Sequence, residues 1–157
     1  MKINYSQNLK LKEKLLIKKT IIKTLKFLNQ PLNIEVGVSF VSDQEIKDLN
    51  KETRRVDKVT DVLSFPALEI SAGENVAQKG EQLFSKNIYI GDVVVCRPQI
   101  ERQAKEYSQT FYQELVRMVL HSTLHLLGYD HIKASDEEKM HAVEFPIYEK
   151  LTKIKLK

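Results

Sequence analysis

Three of the four histidines in this chain, His121, His125 and His131, fall in one run, His-Ser-Thr-Leu-His-Leu-Leu-Gly-Tyr-Asp-His. The run demands a helix, a stop and a return within a few residues. Residues 111 to 127 carry Phe111, Leu115, Met118, Val119 and Leu126 at helical spacing, which predicts an amphipathic helix. His121 and His125 are four apart, so their rings leave one face, about 5 to 6 Å apart at Cβ. Gly128 suits the left-handed position that ends a helix. The chain then turns back, and His131 comes in from the side. Two imidazoles from a helix face and one from the return can bind one tetrahedral ion. Three protein nitrogens leave a fourth position for water, the arrangement of a catalytic zinc. The competing reading is helix-end histidines satisfied by carboxylates or by the helix dipole.

The spacing matches the zinc-peptidase pattern His-Glu-x-x-His-x-x-Gly-x-x-His at each histidine and at the glycine, but Ser122 stands where the glutamate would be. That glutamate is the general base, and a serine hydroxyl has no useful basicity near neutral pH. Peptide hydrolysis is therefore disfavoured. Phosphodiester cleavage, in which a metal and an external cation stabilise charge on phosphoryl oxygens, fits better. A ribosome-associated assembly or binding factor with a mainly structural zinc is the alternative of another class.

With 157 residues the chain reads as one domain, 1–157. No apolar run approaches the roughly 18 residues of a membrane span, and no signal-peptide core follows the first residues. The single cysteine, Cys96, rules out an internal disulfide and fits a reducing cytoplasm; it reads as buried filler. Net charge is +4. The lysines cluster: Lys10, Lys12, Lys14, Lys18, Lys19, Lys23 and Lys26 in the first helix, and Lys150, Lys153, Lys155 and Lys157 at the end. They can track a phosphate backbone or can be a solvated face.

Along the chain, Lys2 to Tyr5 reads as a short strand. A helix over 10–28 follows, with Leu11, Leu15, Ile22 and Leu25 on one side. Ile34 to Val41 alternates as a strand. Ser42 with Glu45 makes a capping box for a helix to about Glu52. Val62 to Phe65 is a short strand stopped by Pro66. Residues 69 to 87 read as a long mobile loop or hairpin, Ile88 to Cys96 as the best strand, and Pro98 to Tyr107 as a helix. Ser135 with Glu138 suggests a second capping box for a last helix to about Leu151. His141 reads as a surface residue; Met118 and Met140 read as core filler. The order predicts an α+β domain: a small mixed sheet of about four strands packed against helices, with the metal site on a central helix. Strand order does not follow from the pattern.

A second cluster lies at Asn50 to Pro66. Thr60 and Asp61 can fix the local backbone, and Arg54, Arg55 and Lys58 supply positive charge nearby. An arginine fork can hold a phosphate by two parallel hydrogen bonds.

The chain resembles, over nearly its whole length, the YbeY family of bacterial endoribonucleases, the rRNA maturation factors. The resemblance rests on the histidine run, on Thr60-Asp61-Val-Leu-Ser-Phe-Pro66 and on Gly91-Asp92-Val-Val-Val. It implies a single-domain α+β fold, one Zn²⁺ per chain on His121, His125 and His131, and single-strand-directed RNA cleavage in the cytoplasm. It further implies maturation of the 3′ end of small-subunit rRNA, ribosome quality control, and the ribosome or its small subunit and associated proteins as partners. Arg54 matches the family arginine and is the candidate phosphate clamp. Ser122 departs from the usual glycine. Asp130 either orients a histidine or accepts local backbone hydrogen bonds.

Overall fold

The strands of this computed structural model, which describes residues 1–6, 9–79, 86–131 and 133–153, form one mixed sheet. They are β1 (Lys2–Tyr5), β2 (Ile34–Val41), β3 (Val62–Pro66) and β4 (Ile88–Cys96), in the order β1-β2-β4-β3. The first two pairings are parallel and β3 runs antiparallel to β4. Among the described residues five α-helices complete the α+β domain: α1 (Leu11–Phe27), α2 (Asp43–Arg54), α3 (Arg97–Glu106), α4 (Phe111–Leu126) and α5 (Ala134–Thr152). None of the described helices is long and apolar enough to cross a membrane.

The main core lies on one face of the sheet, with α4 at its centre. That helix touches β3, β4, α1, α3 and α5. It is accordingly buried almost all round, through Leu115, Val116, Met118, Val119, Leu120, Leu124 and Leu126. Truncating one of these leucines to alanine would cost about 2–5 kcal/mol by the lost transfer energy and the cavity left behind. The opposite face is covered in part by α2, whose Ile46 packs with Leu63 and Cys96. Cys96 is thus buried filler, and burial pushes its thiol up to about 11.

The apolar residues of β4 do not keep one parity. Ile88 and Ile90 are buried, and so are Val93 and Val95. A strict two-residue repeat would send those pairs to opposite faces. The register against β2 slips between Glu35 and Val36, which pair with Tyr89 and Gly91, and this bulge restores all four side chains to the core. Gly91 sits there at φ +132, where a Cβ would collide with the carbonyl oxygen of Phe65.

Three expectations change. On α1 the buried face is Ile17, Ile21 and Leu25 with Thr20 and Thr24, whereas Leu11 and Leu15 are 73% and 60% exposed. The buried threonines return their hydroxyls to the carbonyls of Leu16 and Thr20 at 3.0 Å each, so they cost little inside. Ser135 and Glu138 lie within α5, not at its cap; Lys133 is the N-cap and its side chain makes no capping hydrogen bond. Much of 69–87 is pinned down. Val76 is buried in a 3₁₀ turn, Val76–Gln78, its N–H donating to Gln30 Oε1 at 3.0 Å; residues 80–85 lie outside the described residues. The Ser42–Glu45 capping box forms. His141 is half-buried and stacks on Phe145. Lys12 lies over the Tyr112 ring, and Lys18, Lys19, Lys23 and Lys26 of α1 are exposed. In the terminal lysine group, Lys155 and Lys157 fall outside the described residues.

Candidate metal centre

The three histidines meet through the way α4 ends. Thr110 and Gln113 form the capping box that starts this helix. At its other end Gly128 takes φ +82, Gly128 N–H donates to His125 O, and Tyr129 N–H donates to Leu124 O, both at 3.0 Å. These are the two bonds of a Schellman motif. The turn carries the Tyr129 carbonyl back to His125 Nδ1, 2.9 Å away. Two residues further on it delivers His131. The ring centroids are 4.7, 5.4 and 5.1 Å apart for the pairs 121–125, 121–131 and 125–131. One ring nitrogen from each lies within 4.8 Å of the others.

The hydrogen bonds settle which nitrogens face inward. A carbonyl only accepts, so His125 Nδ1 carries the hydrogen and Nε2 keeps its lone pair. Glu144 Oε1, on the buried side of α5, lies 3.2 Å from His121 Nδ1 and fixes that ring the same way. The two Nε2 atoms then face each other at 3.1 Å, lone pair to lone pair. That contact is repulsive unless a cation sits between them. Protonation of His125 itself is disfavoured, because burial and the neighbouring imidazoles push it down to about 4. A metal ion fits: bonds of about 2.0–2.1 Å in a tetrahedron separate ligand nitrogens by roughly 3.4 Å. The donor set suits zinc, copper, nickel or iron better than a hard cation such as magnesium.

The histidines line a cleft of about 720 Å³ between α4 and β3. Arg54, the last residue of α2, lines it too, its Nη2 donating to Ser64 O at 3.0 Å. Arg55 and Lys58 are exposed and are not among its lining residues. Asp61 fixes backbone: its Oδ1 accepts from Val62 N–H at 2.8 Å and from the Thr60 hydroxyl at 3.1 Å, and its Oδ2 from Gln103 Nε2 at 3.1 Å. Asp130 accepts from His131 N–H at 2.7 Å, the local backbone role. Ser122 is wholly buried and does not line the cleft; its hydroxyl has no partner among the described residues. A glutamate-like base is therefore not replaced at that position.

Sequence reasoning missed Glu144 and Arg117. Glu144 interrupts an apolar stripe of α5, Met140, Ile147 and Tyr148, and an acid inside such a stripe is the readable signal. Arg117 lines the cleft one turn before His121 and pairs with the fully buried Glu114. A second concavity of about 560 Å³, by Asn4, Gly37 and Asp92 on the other face of the sheet, contains no histidine.

The chain is similar to known proteins. The family model described as Endoribonuclease YbeY matches residues 2–152. Curated proteins of that description are similar to the chain. One from Clostridium acetobutylicum is 39% identical over 131 residues, 79% of each chain. One from Caldicellulosiruptor saccharolyticus is 38% identical over 134 residues, 85% of this chain and 84% of its own. Among solved structures, the solution structure of TM1509 from Thermotoga maritima superposes with a TM-score of 0.58 at 26% identity, covering 96% of this chain and 87% of that one.

Proposed function

Since the chain belongs to the Endoribonuclease YbeY family, we propose that it is a zinc-dependent, single-strand-specific endoribonuclease of late-stage rRNA processing. On this reading it matures the 3′ end of small-subunit (16S) rRNA and serves ribosome quality control. It works in the cytoplasm, on the ribosome or its small subunit and associated proteins. The observation that carries the metal-dependent part is the pair of inward-facing Nε2 atoms, 3.1 Å apart, whose rings are tied back through Nδ1.

His121 and His125 would hold one Zn²⁺ through Nε2, with His131 as the third ligand. When bound, the ion supplies Lewis acidity to a phosphoryl oxygen and lowers the pKa of a coordinated water. The protein's own contributions follow from the cleft. Glu144 and the Tyr129 carbonyl hold two imidazoles in one tautomer and orientation. Arg54 is the phosphate clamp: Nη2 is braced on the Ser64 carbonyl, and the guanidinium offsets charge that builds on the nonbridging oxygens. The cleft carboxylates Asp61 and Asp130 are engaged with backbone N–H groups, so they shape the walls.

The test is cleavage of defined single-stranded and duplex RNAs by zinc-loaded protein beside His125→Ala. Wild type should cut the single strand and spare the duplex. The variant should lose both stoichiometric zinc and cleavage. A variant that keeps stoichiometric zinc, or cuts without it, removes the histidine site from the reaction.

A further inference from the structure

Arg117, His121 and His125 stand at i, i+4 and i+8 on one face of α4. Arg117 therefore lies about one helical turn, roughly 6 Å along the axis, ahead of the first imidazole. It shares the cleft with Arg54 and the three histidines, yet it is held quite differently from Arg54. Its Nε and Nη2 donate to the two carboxylate oxygens of Glu114 at 3.0 and 2.5 Å. Glu114 is 0% exposed, whereas the arginine side chain keeps 28% of its surface open. The guanidinium carbon also lies 5.5 Å from the centroid of the Tyr107 ring.

A carboxylate sunk in the core is costly to desolvate. An exposed pair at i, i+3 would support the helix with no such cost. What the buried arrangement adds is orientation. A guanidinium has five N–H donors. Glu114 takes two, and among the described residues Nη1 has no protein acceptor. The arginine is thus fixed along one edge, and its other edge has donors to spare although the Asp61 carboxylate in the same cleft also acts on it, with little side-chain freedom left to lose on binding. Arg54, by contrast, is exposed and braced by a single bond to Ser64.

We propose that Arg117 is a second phosphate-binding residue, which takes the phosphodiester next to the scissile one and so sets how a single RNA strand is threaded past the histidines. The inference rests on the RNA-cleaving reading above. The two arginines divide the labour: Arg54 meets the phosphate that reacts, and Arg117 meets its neighbour in the ground state. Arg117 therefore acts mainly on affinity and KM.

The test uses zinc-loaded protein and a short, labelled, nuclease-resistant 2′-O-methyl single strand, with binding measured over a salt series. Arg117→Met is combined with Glu114→Gln, so that no buried charge is left unpaired. A second variant, Arg117→Lys, keeps a cation but not the fork. The double variant should bind about tenfold more weakly, the loss expected for one charge-assisted hydrogen-bonding partner. Its slope of log K against log salt should shrink, by at most about 0.7 for one fewer phosphate contact on a single strand, because Glu114 already neutralises part of the arginine's charge. On cleavable RNA, KM should rise more than kcat falls, and the lysine variant should recover part of the salt slope. Zinc content and circular dichroism should match wild type. An unchanged slope and affinity would make Arg117 a packing residue and overturn the proposal, as would a loss of binding that tracks lost zinc or lost fold. If wild type itself neither binds nor cuts single strands, the RNA-cleaving assignment fails first and takes this inference with it.

Discussion

Removing the Glu144 carboxylate should weaken metal binding without touching a metal ligand. Glu144 is 6% exposed and its Oε1 sits 3.2 Å from His121 Nδ1. It does two things to that ring: it holds the hydrogen on Nδ1, and it locks the ring plane toward His125. Glu144→Ala releases both, and His121 can then rotate or present the wrong nitrogen. Partners of this kind are worth about 10–100-fold in metal affinity, or roughly 1.4–2.7 kcal/mol. Glu144→Gln keeps an acceptor oxygen but loses the charge, so its deficit should be the smaller of the two. The assay is competition for zinc between the protein and a chromophoric chelator at neutral pH, with circular dichroism to show that α5 still packs. The reasoning is refuted if the alanine variant, folded, binds zinc within twofold of wild type, or if glutamine is worse than alanine.

Three more outcomes follow from the geometry. Arg54→Ala should retain stoichiometric zinc but cut single-stranded RNA about 10²–10³-fold more slowly, since a preorganised donor to developing charge is lost; unaltered cleavage takes Arg54 out of the reaction. Gly128→Ala should cost about 2–4 kcal/mol in urea denaturation, because φ is +82 and the new Cβ would collide with the Ile70 carbonyl, while Gly73→Ala, at φ +88 in open space, should cost only about 1 kcal/mol. In metal-free protein, His125 should stay neutral until the pH approaches about 4, which NMR titration of its ring reads directly. The folded value lies below the ordinary one of about 6.5, so the unfolded chain takes up the proton first as pH falls. The corresponding stability is therefore complete above about 6.5 and lost by about 4, amounting to roughly 2–3 kcal/mol once partial solvent screening is allowed for.

What could be read from the chain alone was whatever a few neighbouring residues decide. The bounds of β2 and β4 follow from β-branched runs closed by turn residues, and the meeting of three imidazoles follows from i, i+4 spacing plus the left-handed Gly128. The reading failed where two local answers were equally good. Leu11, Leu15, Ile22 and Leu25 make a credible apolar side, but Ile17 and Ile21 with the same Leu25 make another, and only packing against α4 chose between them. It was silent on contacts that depend on topology. Arg54 shares a cleft with His121 because β3 lies at the sheet edge against α4. Glu144 reaches His121 because α5 folds back along the same helix. Neither juxtaposition leaves a periodic trace, although an acid in the middle of an apolar stripe was there to be noticed.

The slip of register at Gly91 makes β4 unforgiving of changes in length. Upstream of it, Ile88 and Ile90 point to the helices on even numbers; downstream, Val93 and Val95 do so on odd ones. Deleting one residue at this place would straighten the strand and keep every pairing partner in reach, yet it would remove the phase correction on which both halves depend. Either the isoleucines or the valines would then turn to the opposite face, and in the second case Asp92, now seated beside Gly37, would swing inward. Point substitutions at an exposed outer position of β4, such as Tyr89, should be absorbed, whereas a single lost codon here should abolish folding.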